Sequence, residues 1–214
     1  MTKIVIFDFD GTIGDTRQNI VDTLQRTMRE LGLEVRTSEE CASTIGLTLH
    51  DCFKHMYPEM SDARADECVE HYRDIFYESI EEHTPQLFDG VKEALSRLHA
   101  QGMYLTIASS RSMPSLLLFL KNMDVAHYFS YVIGADNVAR HKPDPEPVLQ
   151  TLRECDFKAS EAIVVGDMAV DVMMARNASV RSVGVTWGNA TRDELCSAGA
   201  DYVIDHINEL FDCL

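Results

Sequence analysis

The chain has 214 residues, of which 45% are hydrophobic and 25% are charged, a composition typical of soluble globular proteins. Its formal net charge of −16 disfavours nucleic-acid binding, because a strongly acidic protein repels a phosphate backbone. The longest apolar runs are far too short to span a bilayer, and no signal peptide is visible. We therefore expect a cytoplasmic protein with neither a nucleic-acid nor a membrane partner.

The first predicted element is a strand that ends in two aspartates. Residues 4–7 are a continuous apolar run, which is typical of a strand buried on both faces of a parallel sheet. Asp8 and Asp10 follow at the carboxyl end of this strand, the edge at which open α/β sheets bind their ligands. Two carboxylates this close repel each other unless they share a proton or a cation lies between them. The start of the chain therefore indicates a chemical site.

A segment of predicted helices follows this strand. The first helix carries Ile20 and Leu24 on one face. Thr37 and Glu40 form a capping-box signal for a short helix that ends near Gly46. Two further helices are predicted over residues 49–56 and from residue 61 onward.

From residue 86 the pattern changes to strands that alternate with helices. Strands are predicted over residues 103–109, 131–134, 162–166, 182–186 and 202–205. Helices are predicted near residues 91–98 and over 112–123, 145–155, 168–176 and 192–198, with a short terminal helix. Asp144 is the expected cap of the third of these helices, with Pro145 at its first position.

This alternation is typical of an α/β protein with a doubly wound parallel sheet. We expect a catalytic core formed by residues 1–14 and 86–214, and an all-helical cap domain at residues 15–85, inserted after the first strand. Hinges are expected near Gly14 and Thr84–Pro85. This insertion point would place the cap beside Asp8 and Asp10.

Polar residues stand at or just after several predicted strand ends. They are Asp8 and Asp10, Ser109, Lys142, and Asp167 with Asp171. Taken singly, Ser109 is better explained as a helix cap or loop residue and Lys142 as a surface lysine. In a parallel sheet, however, these edges converge on one crevice. Together the carboxylates could coordinate Mg²⁺ while the hydroxyl and the lysine hold a phosphoryl group, which is equipment for phosphoryl transfer.

Four motifs of the chain resemble, in order, those of the haloacid dehalogenase superfamily. They are Asp8-Phe9-Asp10-Gly11-Thr12, Ser109, Lys142-Pro143-Asp144-Pro145 and Gly166-Asp167-x-x-x-Asp171. The resemblance covers the whole chain and is closest to the phosphoglycolate phosphatase-like branch. It implies a Rossmann-like core with a helical cap inserted after the first motif.

The resemblance also implies a role for each matched residue. Asp8 would be the nucleophile that forms an aspartyl-phosphate, and Asp10 would protonate the leaving group and then activate water. Ser109 and Lys142 would hold the phosphoryl group. Asp8, Asp167 and the backbone carbonyl of Asp10 would bind Mg²⁺.

Four further residues are expected to support this site. Asp171 would anchor the metal site from behind, near Lys142, and Thr12 would assist it. Ser110 and Arg111, which follow Ser109, are candidates for further contacts with the phosphate group.

The expected activity is Mg²⁺-dependent hydrolysis of a small phosphorylated metabolite, a phosphomonoester similar to phosphoglycolate. Two enzymes of the same superfamily stay open as alternatives, an inorganic pyrophosphatase and a β-phosphoglucomutase-type phosphotransferase. A signalling domain that accepts phosphate on aspartate is a non-enzymatic alternative, but such domains are shorter and carry no cap. A haloacid dehalogenase itself would need neither Mg²⁺ nor the second aspartate.

The six cysteines are scattered and form no C-x-x-C pair. We therefore expect reduced thiols rather than disulfides or zinc ligands. No apolar stripe stands out from the core pattern, so both a monomer and a homodimer are compatible with the sequence.

Overall fold

The computed structural model describes residues 2–79 and 84–214. Its strands are β1 (Ile4–Phe7), β2 (Gly14–Asp15), β3 (Gln86–Leu87), β4 (Tyr104–Ala108), β5 (Tyr131–Ile133), β6 (Ala162–Gly166), β7 (Arg181–Val185) and β8 (Tyr202–Ile204). Its α-helices are α1 (Arg17–Glu30), α2 (Ser38–Ala42), α3 (Leu49–Met56), α4 (Asp62–Ser79), α5 (Val91–Ala100), α6 (Met113–Asn122), α7 (Glu146–Cys155), α8 (Ala169–Asn177) and α9 (Arg192–Ala198).

Six strands form one parallel sheet in the order β5-β4-β1-β6-β7-β8, which confirms the predicted α/β fold. The chain first builds outward from β1 through β4 to β5, then returns to β6 on the other side of β1. The strand order therefore reverses at β1, and in such sheets ligands bind in the crevice outside the carboxyl ends at this switch point. Phe7, the last residue of β1, pairs with Ile107 on one side and Val165 on the other.

The central strand is buried on both faces, as its continuous apolar sequence predicts. Val5 and Phe7 belong to the larger core cluster, together with side chains of α5 and α6. Ile4 and Ile6 point to the opposite cluster, which contains side chains of α7 and α8. Burial of all four side chains fixes β1 between two helical layers and so fixes the position of the residues that follow it.

The helices α1–α4, called here the helical segment, lie between β2 and β3. Helix α4 packs against both α1 and α3, and α1 also packs against α2. The chain enters and leaves this segment through a two-stranded antiparallel ribbon, in which Gly14 pairs with Leu87 and Asp15 with Gln86. The predicted cap boundaries, residues 15–85, include residues 80–83, which lie outside the described residues.

Most predicted elements agree with the structure within one or two residues, but three details differ. Helix α2 ends at Ala42 rather than near Gly46, because the hydroxyls of Ser43 and Thr44 donate to the Glu40 and Cys41 carbonyls and residues 43–46 form turns. Pro145 occupies the N-cap of α7 instead of its first helical position, although the Asp144 carboxylate still accepts a hydrogen bond from the Glu146 amide at 2.9 Å. The ribbon of β2 and β3 was not predicted.

None of the helices in the described ranges is long and apolar enough to cross a membrane. The six cysteines are free thiols, as predicted, and only Cys196 is exposed.

Candidate active site

The carboxyl ends of β1, β4 and β6 bring the predicted polar residues together. Asp8 directly follows β1, and its amide donates a hydrogen bond to the Val165 carbonyl at 2.8 Å. Ser109 follows β4 and Asp167 follows β6. All three side chains are buried, with Asp167 fully so. The adjacent pairing of these strands thus converts separate sequence motifs into one crevice.

Lys142 bridges two of the aspartates. Its Nζ donates hydrogen bonds to Oδ1 of Asp8 and Oδ1 of Asp171, each at 2.6 Å. Burial lowers the pKa of Lys142, but the charges of Asp171 and Asp8 and their hydrogen bonds outweigh it and raise the pKa above its usual value. Lys142 is therefore a permanently charged group at the strand ends.

Asp171 has both carboxylate oxygens occupied by protein donors. Oδ1 accepts the hydrogen bond from Lys142, and Oδ2 accepts one from the Met168 amide at 3.0 Å. The second bond closes the first turn of α8 and fixes the side chain. This arrangement suits a residue that orients Lys142.

Asp167 is held by three donors. Its Oδ2 accepts hydrogen bonds from the backbone amide of Asn189 at 2.8 Å and from Asn189 Nδ2 at 2.9 Å. Its Oδ1 accepts a longer one from Thr12 Oγ1 at 3.3 Å. Burial, followed by the charge of Asp171, nevertheless raises the pKa of Asp167 to about 7. The donors therefore offset the effect of burial on the carboxylate only in part.

The buried carboxylates fit a divalent cation. Ligand oxygens of Asp8, Asp167 and Asp171 lie within 4.8 Å of one another. Burial is the largest cause that raises the pKa of Asp8 well above its usual value, and the charges of Asp171 and Asp167 raise it further against the opposing effect of Lys142. One lysine thus faces three buried carboxylates, so a hard cation with oxygen ligands would balance their charge.

Asp10 forms an ion pair with Arg111. Arg111 Nη2 donates to Asp10 Oδ1 at 2.6 Å, and its Nε lies 3.2 Å from Oδ1 and 3.1 Å from Oδ2. Arg111 was predicted as a phosphate contact, and in this structure its guanidinium binds the Asp10 carboxylate.

The two serines after β4 have different partners. Ser109 Oγ accepts a hydrogen bond from the Arg111 amide at 3.2 Å, so the turn orients this hydroxyl. Ser110, a second predicted phosphate contact, donates from Oγ to the carbonyl of Gly46 at 2.6 Å. Ser110 thus joins the loop after β4 to the loop between α2 and α3.

A cavity lies between these strand ends and the helical segment. Its polar floor includes Asp8, Asp10, Ser109 and Arg111. Its other walls are mainly apolar and come from the helical segment, among them Ile20, Ile45, Leu47, Leu49, Tyr72 and Phe76. The cavity is therefore enclosed jointly by the polar loops after the strands and by the helical segment.

Two residues of this site were missed in the sequence. Asn189 holds Asp167, and Trp187 donates from Nε1 to the Thr12 carbonyl at 3.1 Å. Both follow β7, at the same edge of the sheet as the motifs. The rule that polar residues after parallel strands converge would have identified Asn189 if applied to this strand too.

Comparison with known proteins identifies the family. The family model described as "Haloacid dehalogenase-like hydrolase" matches residues 5–185. The chain belongs to this family of haloacid dehalogenase-like hydrolases.

Individual relatives match over nearly the full chain. The chain is 34% identical over 212 residues to "Probable phosphatase IndB" of Dickeya dadantii (strain 3937), covering 98% of this chain and 92% of that protein. It is 31% identical to "Pyrophosphatase PpaX" of Listeria monocytogenes serotype 4a (strain HCC23), covering 96% and 93%. A solved structure of a "predicted phosphatase" from Clostridium acetobutylicum superposes with a TM-score of 0.90 at 25% identity, covering 100% and 98%.

Proposed function

We propose that this protein is a Mg²⁺-dependent phosphatase that hydrolyses a small phosphomonoester through an aspartyl-phosphate on Asp8. The observation that carries the proposal is the buried cluster in which Asp8 contacts Lys142 and lies beside Asp167. It joins a carboxylate nucleophile, a fixed cation and a potential metal site at one strand end. The relatives named phosphatase and pyrophosphatase support the same class of reaction.

In the proposed first step, a carboxylate oxygen of Asp8 attacks the phosphorus atom and the bond to the leaving oxygen breaks. Asp10 donates a proton to that oxygen, so the leaving group departs as a neutral hydroxyl. Lys142 and Ser109 hold the phosphoryl oxygens during the transfer. Their fixed positions lower the barrier because the charge of the phosphoryl group meets prearranged donors.

In the second step, water attacks the phosphorus atom of the aspartyl-phosphate. Asp10, now deprotonated, accepts a proton from this water, and the P–O bond to Asp8 breaks. Inorganic phosphate leaves and both aspartates return to their starting state. A residue that alternates between acid and base needs access to the cavity floor, where Asp10 lies.

Asp8, Asp167 and the backbone carbonyl of Asp10 would hold the metal. When bound, Mg²⁺ would neutralise charge on the phosphoryl oxygens and on the two carboxylates. Asp171 stays behind this set, because Lys142 and the Met168 amide already occupy its oxygens.

The apolar walls of the cavity favour an organic leaving group, which makes a phosphomonoester the first choice. Inorganic pyrophosphate is the second candidate, because relatives at about this identity are named pyrophosphatases. We further propose that residues 15–85 act as a cap that selects the leaving group.

The test is a panel of phosphate esters with Mg²⁺, including phosphoglycolate, pyrophosphate, glucose 1-phosphate and nucleotides. We expect at least one small ester to be hydrolysed, and the Asp8→Asn variant to lose at least about 10³-fold in kcat. Borohydride reduction of the quenched reaction should convert residue 8 to homoserine, detectable by peptide mass spectrometry. Full activity of Asp8→Asn, or no turnover of any ester with Mg²⁺, would contradict the proposal, and sustained glucose 1-phosphate isomerisation would identify a phosphotransferase.

A further inference from the structure

The side-chain amide of Asn189 is bonded at both ends to charged groups. Its Nδ2 donates a hydrogen bond to Asp167 Oδ2 at 2.9 Å, and its Oδ1 accepts one from Arg17 Nη1 at 3.2 Å. Turning the amide over would place its oxygen against the carboxylate and its NH₂ group against the guanidinium, and both bonds would become repulsive contacts. Arg17, the first residue of α1, therefore keeps the NH₂ group of Asn189 directed at Asp167.

The two oxygens of Asp167 differ in their partners. Oδ2 accepts the bond from the Asn189 side chain and a second one from the Asn189 backbone amide at 2.8 Å. Since a carboxylate oxygen has about two lone-pair sites, these donors occupy Oδ2. In the described part of the chain, Oδ1 accepts only the longer bond from Thr12 Oγ1 at 3.3 Å. Oδ1 is therefore the oxygen that Asp167 can offer to a cation.

The orientation of this carboxylate is also fixed by packing. Asp167 is fully buried, and the backbones of Gly11 and Gly188 lie so close that a Cβ atom on either would overlap Asp167 Oδ2. A rotation that exchanged the two oxygens would have to break both bonds from Asn189 inside this enclosed space, which is costly for a charged acceptor. Asp167 is thus limited to coordination through one oxygen.

This limit affects Mg²⁺ and Ca²⁺ differently. Mg²⁺ requires nearly ideal octahedral geometry, which carboxylates supply through single oxygens. Ca²⁺ is larger, takes about six to eight oxygens and often binds both oxygens of one carboxylate. An aspartate restricted to one oxygen therefore suits Mg²⁺ and deprives Ca²⁺ of a ligand.

We propose that Asn189 is a positioning residue that restricts Asp167 to one metal-binding oxygen and so sets the preference of the site for Mg²⁺ over Ca²⁺. This inference rests on the proposed function, in which Asp167 is a metal ligand. It assigns the choice of ion to a side chain outside the set of ligands, with Arg17 as the group that orients this side chain.

Metal binding in the absence of substrate tests the inference. The dissociation constants of Mg²⁺ and Ca²⁺ are obtained from the rise in unfolding temperature with ion concentration, for the wild type and for Asn189→Ala. We expect the wild type to bind Mg²⁺ more tightly. The variant keeps the backbone donor to Oδ2 but frees one lone pair for Ca²⁺, so its Mg²⁺ affinity should fall about 10- to 100-fold and its Ca²⁺ affinity less than about 2-fold. The ion preference should thus shift toward Ca²⁺ by at least about 5-fold.

Two further variants accompany this measurement. The matched control is Asn122→Ala at the end of α6, where the side-chain amide donates to Thr84 Oγ1 at 3.1 Å, and its ion preference should stay within about 2-fold of wild type. Arg17→Gln removes the support of the Asn189 amide and should shift the preference toward Ca²⁺ by about 2- to 5-fold, because the lost contact is exposed. Circular dichroism checks folding, and Arg17→Gln decides the question if Asn189→Ala is unfolded.

An unchanged ion preference in folded Asn189→Ala, or an equal loss of affinity for both ions, would overturn the inference. Tighter binding of Ca²⁺ than of Mg²⁺ by the wild type, or no binding of Mg²⁺, would overturn it as well. Ester hydrolysis separates this failure from failure of the proposed function. If the wild type hydrolyses esters with Mg²⁺ while Asn189→Ala keeps its ion preference, only the inference fails. If no ester is hydrolysed, the proposed function fails, and the ion titrations still decide whether Asn189 sets the preference.

Discussion

Asp167 shows how a buried carboxylate in the candidate active site can lower the stability of the fold. It is fully buried, and its pKa is raised to about 7 by burial first and then by the Asp171 charge. Because the folded value lies above the usual one, the folded protein binds more protons than the unfolded chain between these values. The free energy of unfolding therefore falls as pH rises through this range when no metal is bound.

The Asp167→Asn variant should accordingly be more stable than the wild type without metal. The amide keeps an oxygen for the Asn189 donors and removes the buried charge, so we expect a gain of about 1 to 4 kcal/mol at pH 8. The gain should shrink toward pH 5, where the wild-type carboxyl is protonated. Thermal unfolding in EDTA measures both values.

Addition of Mg²⁺ provides the control for this variant. The wild-type unfolding temperature should rise with Mg²⁺, because a ligand of the folded state stabilises it, whereas that of Asp167→Asn should change little. A variant that is less stable than the wild type in EDTA at pH 8 would contradict the charge argument.

At the scale of single residues, the sequence predicted which side chains share the site, but not all of the hydrogen bonds that they form. Asp8, Ser109 and Asp167 come together because each directly follows a strand and these strand ends converge, whereas Lys142 reaches them from the loop before α7. The pairing of Arg111 with Asp10 depends on side-chain packing against two aromatic rings. Such packing has no signature in residue spacing.

At the scale of elements, two glycines on adjacent strands allow different helices to pack closely. Gly166 in β6 pairs with Gly184 in β7. A Cβ atom on Gly166 would lie 2.4 Å from Cβ of Asp171, whereas one on Gly184 would meet the side chain of Leu195 at 3.1 Å. The first glycine lets α8 bring Asp171 to the strand end, and the second only lets α9 pack closely.

The Gly166→Ala substitution should therefore reduce catalysis more than the Gly184→Ala substitution does. A shift of Asp171 would misplace Lys142, and we expect kcat/KM to fall by at least about 100-fold. The matched variant Gly184→Ala should lose about 1 to 3 kcal/mol of unfolding free energy through overpacking and keep most of its kcat. Steady-state kinetics and denaturant unfolding compare the two, and similar kcat/KM values in both variants would refute the assignment.

Helix and strand prediction succeeded where an element carried an apolar run, a helical period or a capping signal. The capping boxes Thr37–Glu40 and Thr191–Glu194 both occur in the structure and begin α2 and α9. The strands β2 and β3 contain two residues each, which is too short for an alternating pattern. Their pairing depends on residues far apart in the sequence, so local signals could not reveal it.

At the scale of the whole molecule, the reactivity of two cysteines measures how well the helical segment covers the cavity. Cys52 lies on α3, lines the cavity and is buried, and burial raises its pKa to about 12. Cys196 on α9 is exposed. Since the thiolate is the reactive form, both burial and the raised pKa protect Cys52.

N-ethylmaleimide at pH 8 should modify Cys196 first and Cys52 at least about 10³-fold more slowly. Peptide mass spectrometry over time measures the two rates. In guanidinium chloride the two cysteines should react at similar rates, which controls for intrinsic differences. Equally fast labelling of Cys52 in the native protein would show that the helical segment opens freely in solution.

The ribbon of β2 and β3 determines how the helical segment could move. Two linkers without hydrogen bonds between them would let the helical segment move in any direction. Because the two strands of the ribbon are hydrogen-bonded to each other, the movement would be mainly a bend about one line, the ribbon itself. This line lies next to the loop that carries Asp10, because Asp10 bridges to Gly14 and the Gly11 amide donates to the Gly14 carbonyl at 3.0 Å. A rotation of the helices about the ribbon would therefore also shift the loop that carries Asp10, the proposed proton donor, so that movement of the helical segment and the position of this carboxyl group would change together.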